Sequence, residues 1–226
     1  MASAASFQFD LPSAGRPVPF QLFEQLYPGV QEYWEDSTSK RTFDPILGVT
    51  TVVVHATAGG DSEGAMSVMK AHKASWHWLV PDEDEEQHGQ MVWACAPEAR
   101  AAHHVRNSCS HPDVEGGRSR VNHFSLAIEI VNRQELTEPD PFSQWQVFAA
   151  AEIIRFCWAK YPNLKHVVSH AKLDPDRRSD PGAKFPWETL RELVVSAPVS
   201  DLPPLVALAT PMSLLPKAKS VDMCCN

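Results

Sequence analysis

The sequence predicts an α/β domain built on a single central mixed β-sheet flanked by helices. Two observations carry that prediction. Short apolar, β-branched runs recur in "GVTTVVVHATAGG", "FSLAIEIV" and "HVVSH", as expected of strands buried on both faces. They alternate with helical patterns in the order strand, helix, hairpin, strand, helix, strand, helix, which suits one sheet covered by helices.

Taken in order, residues 1 to about 45 are rich in Pro, Ser and aromatics without periodicity, and predict an irregular arm wrapped on the domain or partly loose. "GVTTVVVHATAGG" predicts a buried strand whose end, at His55, opens into a Gly-rich loop. "EGAMSVMKAHKA" over 63–74, with Met66, Val68 and Met69 among good helix formers, predicts a short helix. "SWHWLVPD" and "QMVWACA" are strand-like runs joined through "EDEEQHG", where Gly89 suits a hairpin turn and the acids suit a solvated tip. The polar segment "APEARAAHHVRNSCSHPDVEGGRSRVNH" predicts a long loop, a feature usually functional or mobile. "FSLAIEIV" predicts a strand carrying one acid, Glu129.

A helix is predicted over 143–160. Ser143 and Gln146 have capping-box spacing, and Val147, Ala151, Ile154 and Trp158 recur at helical intervals. "HVVSH" is the last strand, and Pro186 before "WETLRELVV" starts a terminal helix. From Ser196 onward five prolines punctuate a tail. The expected organisation is an arm over 1–45, a domain over 46–195 and a Pro-rich tail over 196–226.

A chain of 226 residues, 43% hydrophobic, fits one domain with extensions. A net charge of -8 and a pI near 5.6, with basic residues scattered, give no field to attract nucleic acid or an anionic membrane. No nucleic-acid partner is expected. Neither a signal peptide nor a transmembrane segment is recognisable, so synthesis in the cytoplasm is expected. The five cysteines are odd in number and lack CxxC spacing, which argues against a disulfide framework or a cysteine-rich zinc knuckle.

Ten histidines are present, and a single histidine at a strand end is usually a hydrogen-bonded structural residue. That reading serves His72, His88, His111, His123 and His166 one by one. His55 after "VVV" and His170 after "VVS" are different, because each sits where a buried strand meets a loop. Adjacent strands would bring both to one rim. Asp180 offers a hard oxygen from a loop stiffened by Pro175, Pro181 and Gly182, or else forms an Asx-type turn before Pro181. Two imidazoles and one carboxylate, at ~2.0–2.2 Å, leave a tetrahedral zinc ion one open position for chemistry. Glu129 shares a face with Ser125, Ala127 and Val131, opposite Leu126, Ile128 and Ile130. Alternation leaves it either pointing outward or facing a site of low dielectric, where its pKa would rise into a general base's range.

The ordered blocks "VVVHATAG", "SWHWLV", "RAAHH", "NHFSLAIEIVN" and "SHAKLDPDRRSDPG…FPW", over roughly 48–195, resemble the zinc-dependent type 2 N-acetylmuramoyl-L-alanine amidases. That family includes bacteriophage lysozyme-type amidases, muropeptide-recycling amidases and animal peptidoglycan recognition proteins. The resemblance implies a zinc site at one rim of the sheet, with His55, His170 and Asp180 as ligands. Asp replaces the Cys of several relatives, as in the recycling-type branch. It also implies Glu129 as the catalytic carboxylate and Arg178 as the cationic residue, usually Lys. Arginine keeps the charge near a developing oxyanion but changes its geometry. Read without the resemblance, Arg178 pairs with Asp174 or Asp176 on the surface.

Trp76 stands where phage-type relatives carry a catalytic tyrosine. It cannot supply hydroxyl chemistry, and is expected either to line the substrate groove or to sit in the core. His103 and Asn122 match groove positions and are expected to touch substrate, whereas Arg100 and His77 are expected to be structural. The implied activity is zinc-dependent hydrolysis of the amide between N-acetylmuramic acid and L-alanine, on peptidoglycan or muropeptide fragments. The alternative is a recognition module that binds peptidoglycan without catalysis. Muropeptide recycling, phage lysis and delivery to another cell are all compatible settings.

Overall fold

The computed structural model describes residues 7–85, 90–134 and 140–196. In chain order the strands begin with β1 (Gln8–Asp10), β2 (Gln25–Leu26) and β3 (Thr38–Lys40). The central elements follow: β4 (Thr51–Ala56), α1 (Ser62–Lys70), β5 (Trp78–Val80), β6 (Trp93–Ala94), β7 (Arg100–Ala102) and β8 (Ser125–Ile130). Then come α2 (Gln144–Lys160), β9 (His166–Ser169), a single turn α3 (His170–Leu173) and α4 (Trp187–Val195).

Seven strands form one mixed sheet in the order β1, β9, β4, β8, β5, β6, β2. The inner four, β9, β4, β8 and β5, are mutually parallel, while β1 and β6 run antiparallel to their inner neighbours. Every residue of β4, β8 and β9 is buried, as their unbroken apolar runs require for strands covered on both sides. On one face, Val52 and Val54 of β4 and Leu126, Ile128 and Ile130 of β8 pack with α2 and α4 in the main core. On the other, Ala127 and Val131 pack with Met66 and Met69 of α1 and with Trp76, Leu79 and Trp93.

α2 starts where its capping pattern predicts. Ser143 Oγ accepts from Gln146 N at 3.1 Å, and Gln146 Oε1 accepts from Ser143 N at 3.2 Å. Gln146 Nε2 also donates to Val131 O (2.7 Å) and Pro81 O (3.1 Å), tying the helix to the ends of β8 and β5. Val147, Ala151, Ile154 and Trp158 are all buried in the main core.

The stretch expected to be an irregular arm lies against the domain over its described part, and there it also forms short strands. β1 and β2 close the two edges of the sheet, and β3 pairs antiparallel with β7 in a second, two-stranded sheet. β1 pairs with β9 through Phe9 and Val167, and beyond it Phe7 O accepts from Ser169 N at 3.1 Å. Strands of two or three residues leave no readable alternation, and here their partners lie far along the chain. The polar segment read as a loop likewise contains β7. Gly89 and the Pro-rich tail beyond Ser196 lie outside the described residues. Among the described residues, no helix is long and apolar enough to cross a membrane.

Candidate metal centre and active site

The carboxyl ends of β4, β8 and β9 form one rim. His55 of β4 is the register partner of Glu129 of β8, and Val54 is the partner of Ser169 of β9. His170 therefore follows at the level of His55. Level residues on neighbouring parallel strands share a face, so His55 and Glu129 rise together. His170 opens α3, whose N-cap Ser169 accepts from Lys172 N through Oγ at 3.0 Å. Asp180 returns to this turn, its carbonyl accepting from Ala171 N at 3.0 Å. Just beyond, Gly182 adopts φ +89°, a conformation that favours glycine, and its N–H donates to Ser179 O at 2.8 Å.

Three donor atoms converge there. His55 Nδ1 and His170 Nδ1 are 3.0 Å apart, and Asp180 Oδ2 lies 3.2 Å from the first and 3.0 Å from the second. All three residues are buried. Donors on a tetrahedral ion at ~2.0–2.2 Å stand roughly 3.3–3.6 Å apart, so opening by a few tenths of an ångström would fit this set to a divalent ion. Two nitrogens and one oxygen suit zinc and leave a coordination position for a reacting molecule. The Asx-turn alternative for Asp180 does not describe its side chain, which points at the two imidazoles.

The surroundings prepare each group electrostatically. Burial, reinforced by the neighbouring His170, pulls His55 down to about 4, so at neutral pH it offers a lone pair. Burial raises Asp180, but its close contacts with the His170 and His55 imidazoles outweigh it and hold the carboxylate well below its usual range. Glu129 moves the other way. Burial and then repulsion from Asp180 push it well above the usual carboxylate range, partly offset by Arg178. Of the two orientations left open for Glu129, the structure adopts the inward one.

Arg178 is exposed, on the Asp180 loop, and its charge is felt at both His55 and Glu129. The Asp174 carboxylate receives Arg106 in a forked pair, Nε to Oδ2 at 2.9 Å and Nη2 to Oδ1 at 2.5 Å.

Two of the residues expected at a substrate groove are buried. Trp76 is only 3% exposed and packs in the core beside α1, so of its two readings the core one applies. Asn122 is buried, with both ends of its amide engaged by one backbone: Nδ2 donates to Val105 O at 2.7 Å and Oδ1 accepts from Val105 N at 2.9 Å. Each end of the amide thus makes one bond to the Val105 backbone. His103 is exposed, its backbone pinned by Ser75 Oγ at 2.6 Å. His77 is structural, its Nδ1 accepting from Ala127 N at 2.9 Å. Arg100 donates to Thr38 and lies over the Trp34 ring.

His104 is the residue that sequence reasoning passed over. It is buried behind His55, with Nδ1 3.0 Å from His55 Nε2 and Nε2 2.9 Å from Ser125 Oγ. The only signal was the doublet in "RAAHH", of which the outward-facing His103 was singled out.

Comparison with known proteins agrees with this geometry. AmiD of Escherichia coli K12, an N-acetylmuramoyl-L-alanine amidase, is 29% identical over 156 residues, 66% of this chain and 54% of that protein. The chain thus spans about half the length of that relative. The crystal structure of AmpDh3 from Pseudomonas aeruginosa superposes with a TM-score of 0.59 at 27% identity, covering 70% of this chain and 64% of that one. E. coli AmiD in complex with anhydro-N-acetylmuramic acid-L-Ala-D-γ-Glu-L-Lys gives a TM-score of 0.56 at 26% identity, covering 72% and 68%. The sequence model of one family matches residues 45–183, well over half of the chain and all of the rim just described, and on that match the chain belongs to the N-acetylmuramoyl-L-alanine amidase family.

Proposed function

We propose that the protein is a zinc-dependent amidase that hydrolyses the bond between the lactyl group of N-acetylmuramic acid and L-alanine in peptidoglycan or muropeptides. The observation that carries this reading is the convergence of His55 Nδ1, His170 Nδ1 and Asp180 Oδ2 beside a buried Glu129. The chemistry supplied by zinc in such a donor set is Lewis acidity, which acidifies water toward a pKa of ~7 and polarises a carbonyl.

The chain's own residues do the rest. Glu129, with its proton affinity raised by burial, takes a proton from the attacking water and delivers it to the leaving nitrogen of L-alanine. Arg178 directs positive charge toward the oxygen that becomes negative during attack. His103, exposed beside the buried His104, touches the substrate. The muropeptide bound to E. coli AmiD supports this substrate class. Nothing favours the binding-only alternative, since the whole donor set and Glu129 are present.

The test is incubation of the purified chain with anhydro-muropeptides and with intact sacculi, with and without a chelator. Release of stem peptides beginning in L-alanine, lost on chelation and restored by zinc, is expected. Retention on sacculi without any release, by a zinc-loaded chain, would overturn the catalytic reading.

A further inference from the structure

The rings of His55 and His104 meet edge to face, with centroids 5.0 Å apart and planes at 87°. Behind them a hydrogen-bonded chain runs from His55 Nε2 to His104 Nδ1 (3.0 Å), from His104 Nε2 to Ser125 Oγ (2.9 Å) and from Ser125 Oγ to Val121 O (2.8 Å). Each link contains one proton, and the far end decides the direction of all three. A carbonyl oxygen carries no hydrogen, so at 2.8 Å Ser125 must donate to Val121. The hydroxyl oxygen then accepts from His104 Nε2–H. A neutral imidazole has one N–H, which leaves His104 Nδ1 bare to accept from His55 Nε2–H. The same count leaves His55 Nδ1 bare, and that is the atom facing His170 and Asp180. Charge on His104 is disfavoured because the ring is buried and both its nitrogens are engaged by partners that are not carboxylates.

We propose that His104 and Ser125 form a positioning relay that fixes His55 in its Nε2–H tautomer, so that its Nδ1 lone pair is presented to the ion held with His170 and Asp180. The surrounding backbone is built to hold the relay still. Asn122 clamps Val105, the residue after His104, and Arg41 holds the carbonyls of Asn122 and Ser125 at 3.2 and 2.9 Å. Asn122 thus acts on the site through His104. A donor fixed in one tautomer and one orientation binds metal without first selecting either, and loss of such outer partners typically weakens metal binding about 10- to 100-fold.

This inference rests on the metal reading above, and the experiment separates the two. Zinc affinity is measured by chelator competition on the full chain and on His104→Ala, His104→Asn and Ser125→Ala. His104→Ala is expected to bind zinc about 10- to 100-fold more weakly. Ser125→Ala should shift affinity in the same direction by less, and His104→Asn, whose amide oxygen still accepts from His55, should recover most of the loss. In the metal-free wild type, the ring nitrogen-15 shifts of His55 should show a protonated Nε2 and a bare Nδ1. Unchanged zinc affinity in a folded His104→Ala chain, or a proton on His55 Nδ1 in the wild type, would overturn the relay. Should His104→Ala fail to fold, the wild-type tautomer and Ser125→Ala still decide. A wild-type chain that binds no zinc would instead overturn the metal reading.

Discussion

His55 and Glu129 are register partners on adjacent parallel strands, so a candidate metal donor and the acid beside it rise from one face of the sheet without any loop between them. Sites built on strands are held more tightly than sites built on loops. Glu129→Gln keeps the shape and removes the proton carrier, so kcat is expected to fall by ~10²–10⁴ while zinc content is unchanged. The same change removes an acid whose charged form is disfavoured by burial, so the melting temperature should hold or rise. Loss of zinc in Glu129→Gln would contradict this division of labour.

Asp180 is the loop-borne member of the donor set, and its side chain is engaged by both imidazoles. Asp180→Ala is expected to lose zinc and activity together, whereas Asp180→Cys, which supplies a thiolate, should retain zinc. Metal analysis of the two purified variants checks the pair, and an Asp180→Ala chain with full zinc would remove Asp180 from the ligand set.

In the proposed mechanism Arg178 acts through its charge, which reaches both His55 and Glu129. Arg178→Ala is expected to lower kcat by ~10²–10³ with a smaller change in KM, because the charge it meets develops only during attack. Arg178→Lys should restore much of the rate. A change confined to KM would assign the residue to substrate binding instead.

His77 makes stability depend on pH. Burial, with the Arg41 guanidinium beside it, holds the ring down to about 3, against about 6.5 in the unfolded chain. Between those values the unfolded chain binds a proton that the folded chain refuses. Stability therefore falls as pH drops below ~6.5, by on the order of 1.4 kcal/mol per pH unit, and this loss stops near the folded pKa. Urea unfolding of the metal-free protein at several pH values between 7 and 5 should show His77 adding this slope to that of the other buried histidines, and His77→Asn should flatten the total by one proton.

Arg41 is buried and donates to the carbonyls of Glu98, Asn122 and Ser125 at 3.0, 3.2 and 2.9 Å. Arg41→Met removes those donors while filling similar space, and is expected to destabilise the fold by on the order of 3 kcal/mol. Denaturant unfolding measures it, and an unchanged midpoint would show that water replaces the guanidinium.

What was legible in the sequence was what is local. The apolar runs before His55 and His170 marked two buried strands, and the Ser143 to Gln146 spacing marked the start of α2, because each signal lies within a few residues of its effect. β1 and β2 left no such mark, since Phe9 owes its strand to Val167. Alternation placed Glu129 on a face with Ala127 but could not say that the face was covered by α1 and opened onto the donors only at its end. Trp76 was ambiguous for the same reason. His104 was missed because its meaning lies in two contacts across loops, with His55 and Ser125, that no spacing encodes.

The pairing of β1 with β9, and of Phe7 O with Ser169 N, orders events during synthesis. β1 must wait for β9, far along the chain, and the backbone it finally holds is the one preceding His170. A chain ending before β9 would lack the edge pairing, and one ending before Asp180 would lack the third donor of the candidate metal centre. Closure of the sheet edge by β9 and assembly of the donor set by His170 and Asp180 thus wait on one short stretch of chain.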